Sequence, residues 1–140
     1  MTAGAAENFE LSASGNRPRL FRAQGAITMD TAGVERVDLR TLGGADSTVV
    51  TDLSATVVMT IVLDVAIGGG AADGAVDTTT INGTGANDAI AIAPNAGAVG
   101  VSGLAASVRI EHSEAANDVL NVNGLGGNDA ISGAVGIAAL

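Results

Sequence analysis

The chain has 140 residues and no cysteine, so it holds one domain or a short run of repeats, and disulfides and thiolate metal sites are excluded. Of its 66 apolar residues 27 are Ala; the rest are mainly Val, Ile and Leu, with two Phe, no Tyr and no Trp, and with 20 Gly this argues against a helix bundle and for a thin β interior. Fifteen acids stand against six Arg and no Lys, for a net charge of −9, a balance that repels nucleic acid and anionic lipid and either attracts divalent cations or simply keeps the chain in solution.

Taken in chain order, residues 1–10 have neither the basic start nor the apolar stretch of a classical signal peptide. Residues 8–29 carry apolar positions nine apart, at Leu11, Leu20 and Met29, within short alternating strands. The Arg cluster at 17–22 is expected to pair with Glu7, Glu10 and Asp30. Residues 37–49 form a strand, a Gly-rich turn and Asp46. The segment Val57–Ile67 is the most apolar run, too short and too polar to span a bilayer, and Val57, Met59, Ile61, Leu63, Val65 and Ile67 predict one long inward row. Residues 68–77 read as a flexible, solvated insertion carrying Asp73 and Asp77. From 79 onward the pattern returns, with Ile92, Val101 and Ile110 again nine apart. His112, the only histidine, lies between two acids and reads as an exposed side chain.

Comparing the chain with itself organises these pieces. The segments 37–49, 79–91 and 120–132 align without gaps, and place Leu39, Ile81 and Val122 each seven residues before an Asp, at Asp46, Asp88 and Asp129. Segment 8–29 aligns with 89–110. The expected organisation is a single domain, 1–140, of three repeats at 7–45, 46–87 and 88–128 plus a partial fourth at 129–140. With four strands and two coils per repeat, the fold class expected is all-β: a parallel β-helix or β-roll-like solenoid of short strands, in which Leu39, Ile81 and Val122 queue in one interior file. An antiparallel β-sandwich is the alternative.

The turns GLGGNDAIS (124–132) and GTGANDAIA (83–91), and more weakly LGGADSTVV (42–50), resemble the glycine- and aspartate-rich nonapeptides of bacterial hemolysin-type (RTX-like) calcium-binding proteins. The resemblance implies a secreted or cell-surface, non-catalytic solenoid with calcium as its cofactor. The candidate metal ligands are then Asp46, Asn87, Asp88, Asn128 and Asp129. The 41-residue spacing departs from the family's 18. With two coils per repeat it puts successive Asp residues about 10 Å apart, too far for one ion to bridge. Without a metal, the same Asp residues act as turn-setters that accept backbone N–H groups. The function expected is a structural or adhesive segment of a larger extracellular protein, calcium-stabilised or metal-free. Partners expected are calcium ions and further copies end to end, with no nucleic acid and no membrane insertion. A polysaccharide-acting enzyme on a β-helix is the alternative, and no residue pair singles it out.

Overall fold

The computed structural model describes residues 4–137. All of its regular structure is β, in two open six-stranded sheets of mixed direction. The first sheet contains β1 (Asn8–Ser14), β2 (Arg17–Arg22), β3 (Ile27–Asp30), β5 (Ser47–Val50), β7 (Thr78–Asn82) and β11 (Val119–Asn123), in the order β11-β7-β5-β1-β2-β3. The second contains β4 (Arg36–Arg40), β6 (Thr60–Asp64), β8 (Ala89–Asn95), β9 (Ala98–Ser102), β10 (Ser107–Glu111) and β12 (Ala130–Gly133), in the order β12-β8-β9-β10-β6-β4. The all-β expectation holds, but each open sheet mixes parallel and antiparallel pairs, so the pairing is neither that of a purely parallel coil nor that of an antiparallel sandwich.

Antiparallel pairing is confined to two three-stranded meanders, β1-β2-β3 in the first sheet and β8-β9-β10 in the second. These are the two segments that the sequence aligns. Their first hairpins share one register, Leu11 opposite Leu20 and Ile92 opposite Val101. Their second hairpins differ by two residues, Leu20 facing Met29 but Val101 facing Val108. The next strand but one then joins each meander in parallel, β5 on β1 and β12 on β8.

The core lies between the sheets. In the first sheet the register lines up Met29, Leu20, Leu11, Val50, Ile81 and Val122 in one file. In the second, Leu39, Leu63, Ile110 and Val99 form another. Leu11, Val50, Ile81, Leu39, Leu63 and Ile110 are buried, as the inward positions of strands with period two should be. Ile81 and Val122 are therefore neighbours in a file, but Leu39 stands in the opposite sheet. The reason is a difference in strand count. Residues 7–45 and 88–128 each hold a meander and one strand across from it, whereas 46–87 hold β5, β6 and β7, with β5 and β6 in opposite sheets where the other segments have a meander in one. The chain thus crosses between sheets once more in the middle segment, and everything after it changes sides.

Strand β6 departs from alternation: Ile61, Val62 and Leu63 are all buried. Val57, Met59 and Ile67 are exposed, so the expected six-residue inward row shrinks to Ile61, Leu63 and Val65. The insertion 68–77 is also more tightly held than its composition suggests. Ile67 bridges Ala71, Gly44 N–H donates to Asp73, and Asp77 is buried.

Candidate functional site

An acid stands immediately before the strand in seven places: Glu7, Glu35, Asp46, Asp77, Asp88, Asp118 and Asp129 precede β1, β4, β5, β7, β8, β11 and β12. Where such strands are parallel neighbours, the acids bond to one another in one fashion. Glu7 N–H donates to Asp46 Oδ1 at 2.8 Å, Asp46 N–H to Asp77 Oδ1 at 2.8 Å, and Asp77 N–H to Asp118 Oδ1 at 2.9 Å. In the second sheet Asp88 N–H donates to Asp129 Oδ1 at 3.0 Å. In return each acid's backbone carbonyl accepts the N–H of the residue after the next acid: Ser47, Thr78, Val119 and Ala130. The carboxylates of Asp46, Asp77, Asp118 and Asp129 therefore each supply one further rung to the parallel ladder, where the backbone is already turning away. A charged acceptor makes such a rung stronger than a neutral one.

Of the five sequence-derived ligand candidates, Asp88 and Asp129 come together on adjacent rungs, so they lie one strand spacing apart, about 4.8 Å, rather than the two spacings expected. Asp46 belongs to the column in the other sheet, beside Glu7 and Asp77, because of the extra crossing. Asn87 Oδ1 accepts the N–H of Asn128 at 2.8 Å, and both residues are exposed. Each Asp88 oxygen is engaged within its own turn, Oδ2 by Thr84 N–H at 2.6 Å and Oδ1 by the Thr84 hydroxyl at 3.0 Å. Calcium asks for six to eight oxygens around one point. Here both Asp88 oxygens already accept backbone and hydroxyl hydrogens, and an ion at Asp88 would have to displace them.

These turns explain their glycines. The Asp88 and Asp129 carboxylates fold back over Gly83 and Gly124, leaving no room for a Cβ. In the first turn the same position, five before the Asp, is Thr41, buried beside Asp46. Burial is the larger influence on Asp46 and pushes its carboxyl above the ordinary range, while the Thr41 hydroxyl and Glu7 N–H oppose it. Neither Asp46 Oδ2 nor Thr41 Oγ1 has a well-formed hydrogen bond. Asp77, also buried, is pushed up to about 6, chiefly by loss of solvent and then by the nearby charges of Asp118, Asp46 and Asp73, against the help of Asp46 N–H. Glu7, 1% exposed, is paired with the Arg22 guanidinium. Arg17 pairs with Asp30 as expected, while Arg19 lies over the Phe21 ring instead of meeting Glu10.

Sequence reasoning missed the column Glu7–Asp46–Asp77–Asp118, having read Asp77 as a solvated loop residue. Its signal was present in the strings ENFEL, DSTVV, DTTTI and DVLNV, an acid directly before a run of strand-forming residues. A small cavity of about 180 Å³ adjoins this column, lined by Asp77, Glu114, Asp118, Val99, Ile110 and Leu120 among others. The Glu114 carboxylate there accepts the N–H groups of Asp73 and Gly74.

One other cluster stands apart. Asp64 and Glu111 share a rung at the ends of β6 and β10, and His112 follows with φ 60°, turning its ring back so that Nδ1 lies 2.8 Å from Asp64 Oδ1. Arg109 holds Glu111 at 2.8 Å and Arg40 lies 3.8 Å from Asp64. His112 is thus exposed, as expected, with Nδ1 within hydrogen-bond reach of Asp64. Among the described residues no helix is long and apolar enough to cross a membrane.

No protein-family model, curated protein or solved structure matches this chain.

Proposed function

We propose that this chain is a non-catalytic structural segment, a short β-solenoid with meander insertions, serving as a stretch of scaffold in a larger bacterial extracellular or cell-surface protein. The observation that carries this reading is the use made of the acids. Four of those before the strands, Asp46, Asp77, Asp118 and Asp129, are acceptors for a neighbouring backbone, which is a structural task, and an acid committed in this way is poorly placed to move protons for a substrate. Parallel rungs at 39-, 31- and 41-residue intervals, each fastened by the same side-chain device, support winding as the organising principle. The extracellular placement rests on the resemblance of the Gly- and Asp-rich turns alone.

Paired substitutions at Asp88 and Asp129 test the proposal. Asn keeps an acceptor oxygen at the rung and Ala removes it. For a metal-free scaffold, Asp129→Asn is expected to stay within about 0.5 kcal/mol of the parent, while Asp129→Ala loses about 1–3 kcal/mol because Asp88 N–H is left without its acceptor. Urea unfolding followed by far-ultraviolet circular dichroism reads the difference. The calcium reading has a distinct signature: a rise in Tm at micromolar calcium, reversed by chelator and abolished by Asn and Ala alike. Equal losses for Asn and Ala, without calcium dependence, would count against the ladder's role.

A further inference from the structure

Among the described residues both sheets end in edge strands with no further strand paired to them, and the two ends of the molecule match. At one end the edge strands are β3 and β4; at the other they are β11 and β12. Following the pairings through each sheet shows that β3 runs parallel to β11 and β4 parallel to β12. The inward files also agree in phase. Ile27 is level with Leu120 and Met29 with Val122, counted rung by rung across the first sheet. A second copy placed with its β3 and β4 on the β11 and β12 of the first would prolong both sheets in parallel, with inward residues still inward.

Each end also has the surface such a contact needs. Between β3 and β4 the core opens in a groove of about 610 Å³ lined by Phe9, Leu20, Ile27, Met29, Leu39 and Leu42. Ile27 is 47% and Met29 52% exposed, although both lie in the inward files. At the opposite end Ile131, inward on β12 beside the buried Ile90, is similarly exposed. The ends differ in charge. Residues 15–40 hold five Arg against Asp30, Glu35 and Asp38, a balance of +2; residues 110–140 hold Glu111, Glu114, Asp118 and Asp129 and no Arg, a balance of −4. Like ends therefore repel and unlike ends attract. The ladder is open there too: among the described residues nothing plays for Asp129 N–H the part that Asp129 plays for Asp88.

We infer that this chain associates head to tail with further copies of itself, the Arg-rich β3/β4 end of one docking on the acidic β11/β12 end of the next. The inference builds on the scaffold reading. Such a contact is heterologous, so growth does not stop at a dimer. A charge placed on an edge strand blocks strand addition, and Met29→Lys and Ile131→Lys place one at each end, at positions already half in solvent. Sedimentation velocity between 5 μM and 1 mM is the measurement. The parent chain is expected to give a weight-average mass that rises with concentration beyond twice 13.5 kDa, and that falls when sodium chloride is raised from 0.05 to 0.5 M.

Each variant alone is expected to remain monomeric. An equimolar mixture is expected to stop at a one-to-one pair, since each partner retains one working end. A parent that stays monomeric throughout, or a dimer that stops at two and survives Met29→Lys, would overturn the inference. Circular dichroism melting of each variant establishes that it is folded. None of these results bears on the Asp129→Asn and Asp129→Ala comparison, so the stacking and the scaffold reading fail separately.

Discussion

Asp77 shows most plainly what a buried rung costs and contributes. Its Oδ1 accepts Asp46 N–H, while its own N–H goes to Asp118 Oδ1. The carboxyl titrates near 6 in the folded chain against an ordinary 3.8. Between those two values the folded state binds more protons than the unfolded state, so stability falls as pH rises from about 4 through 6, and the penalty is complete above that window. Asp77→Asn removes the charge and keeps the acceptor oxygen. The variant is expected to melt higher than the parent at pH 7.5 and to match it near pH 4. Thermal melts of both proteins across pH 4–8 check this. A difference that does not change with pH would show that the carboxyl is not the titrating group. The raised pKa was not readable from sequence, since DGAVD looks like any acidic loop. Only the neighbouring columns reveal that Asp77 faces Asp46 and Asp118 rather than water.

The meanders carry the tightest backbone contact among the elements. Gly103, between β9 and β10, has φ +98°, and a Cβ there would collide with the carbonyl oxygen of Ala89 at the start of β8. Replacing it with Ala adds backbone strain to a clash against main chain, which cannot swing aside as a side chain could. Gly103→Ala is expected to lower unfolding stability by more than about 2 kcal/mol, read from the urea midpoint. At the exposed Gly85, where a Cβ meets nothing and φ is not positive, the same change is expected to be nearly neutral. Strand positions were legible at this scale. Alternation in 8–29 and 89–110 is local and follows from period two, so it located the strands of both meanders but not their antiparallel pairing, where the nine-residue step points to coils. The sheet to which each strand belongs was not legible, because it depends on how often the chain has already crossed. Two strands in opposite sheets, β5 and β6, in place of a three-stranded meander moved Ile81 into the sheet opposite Leu39. That displacement separated Asp46 from Asp88 and brought Asp88 beside Asp129.

Across the whole molecule the dominant long-range force is self-repulsion. Residues 41–140 carry ten acids and a single Arg, and the ladders bring four acids together in one sheet and two in the other. At physiological ionic strength the Debye length is about 8 Å, longer than the 4.8 Å strand spacing, so neighbouring rungs still repel one another. Added salt shortens that range and relieves the compact state more than the unfolded one, where the acids are further apart. The Tm is therefore expected to rise between 0.02 and 0.5 M sodium chloride, in dilute protein where association is absent. The identity of the cation separates screening from binding. At matched ionic strength, calcium chloride acting only as a screen raises the Tm as much as sodium chloride does. A calcium ion seated on the Asp turns gives a larger rise at concentrations far too low to screen, following RT ln(1 + [L]/Kd). Since the Asp88 oxygens already accept hydrogens within their own turn, we expect the two salts to trace one curve, and a divergence at micromolar calcium would replace the hydrogen-bonded ladder with a metal-linked one.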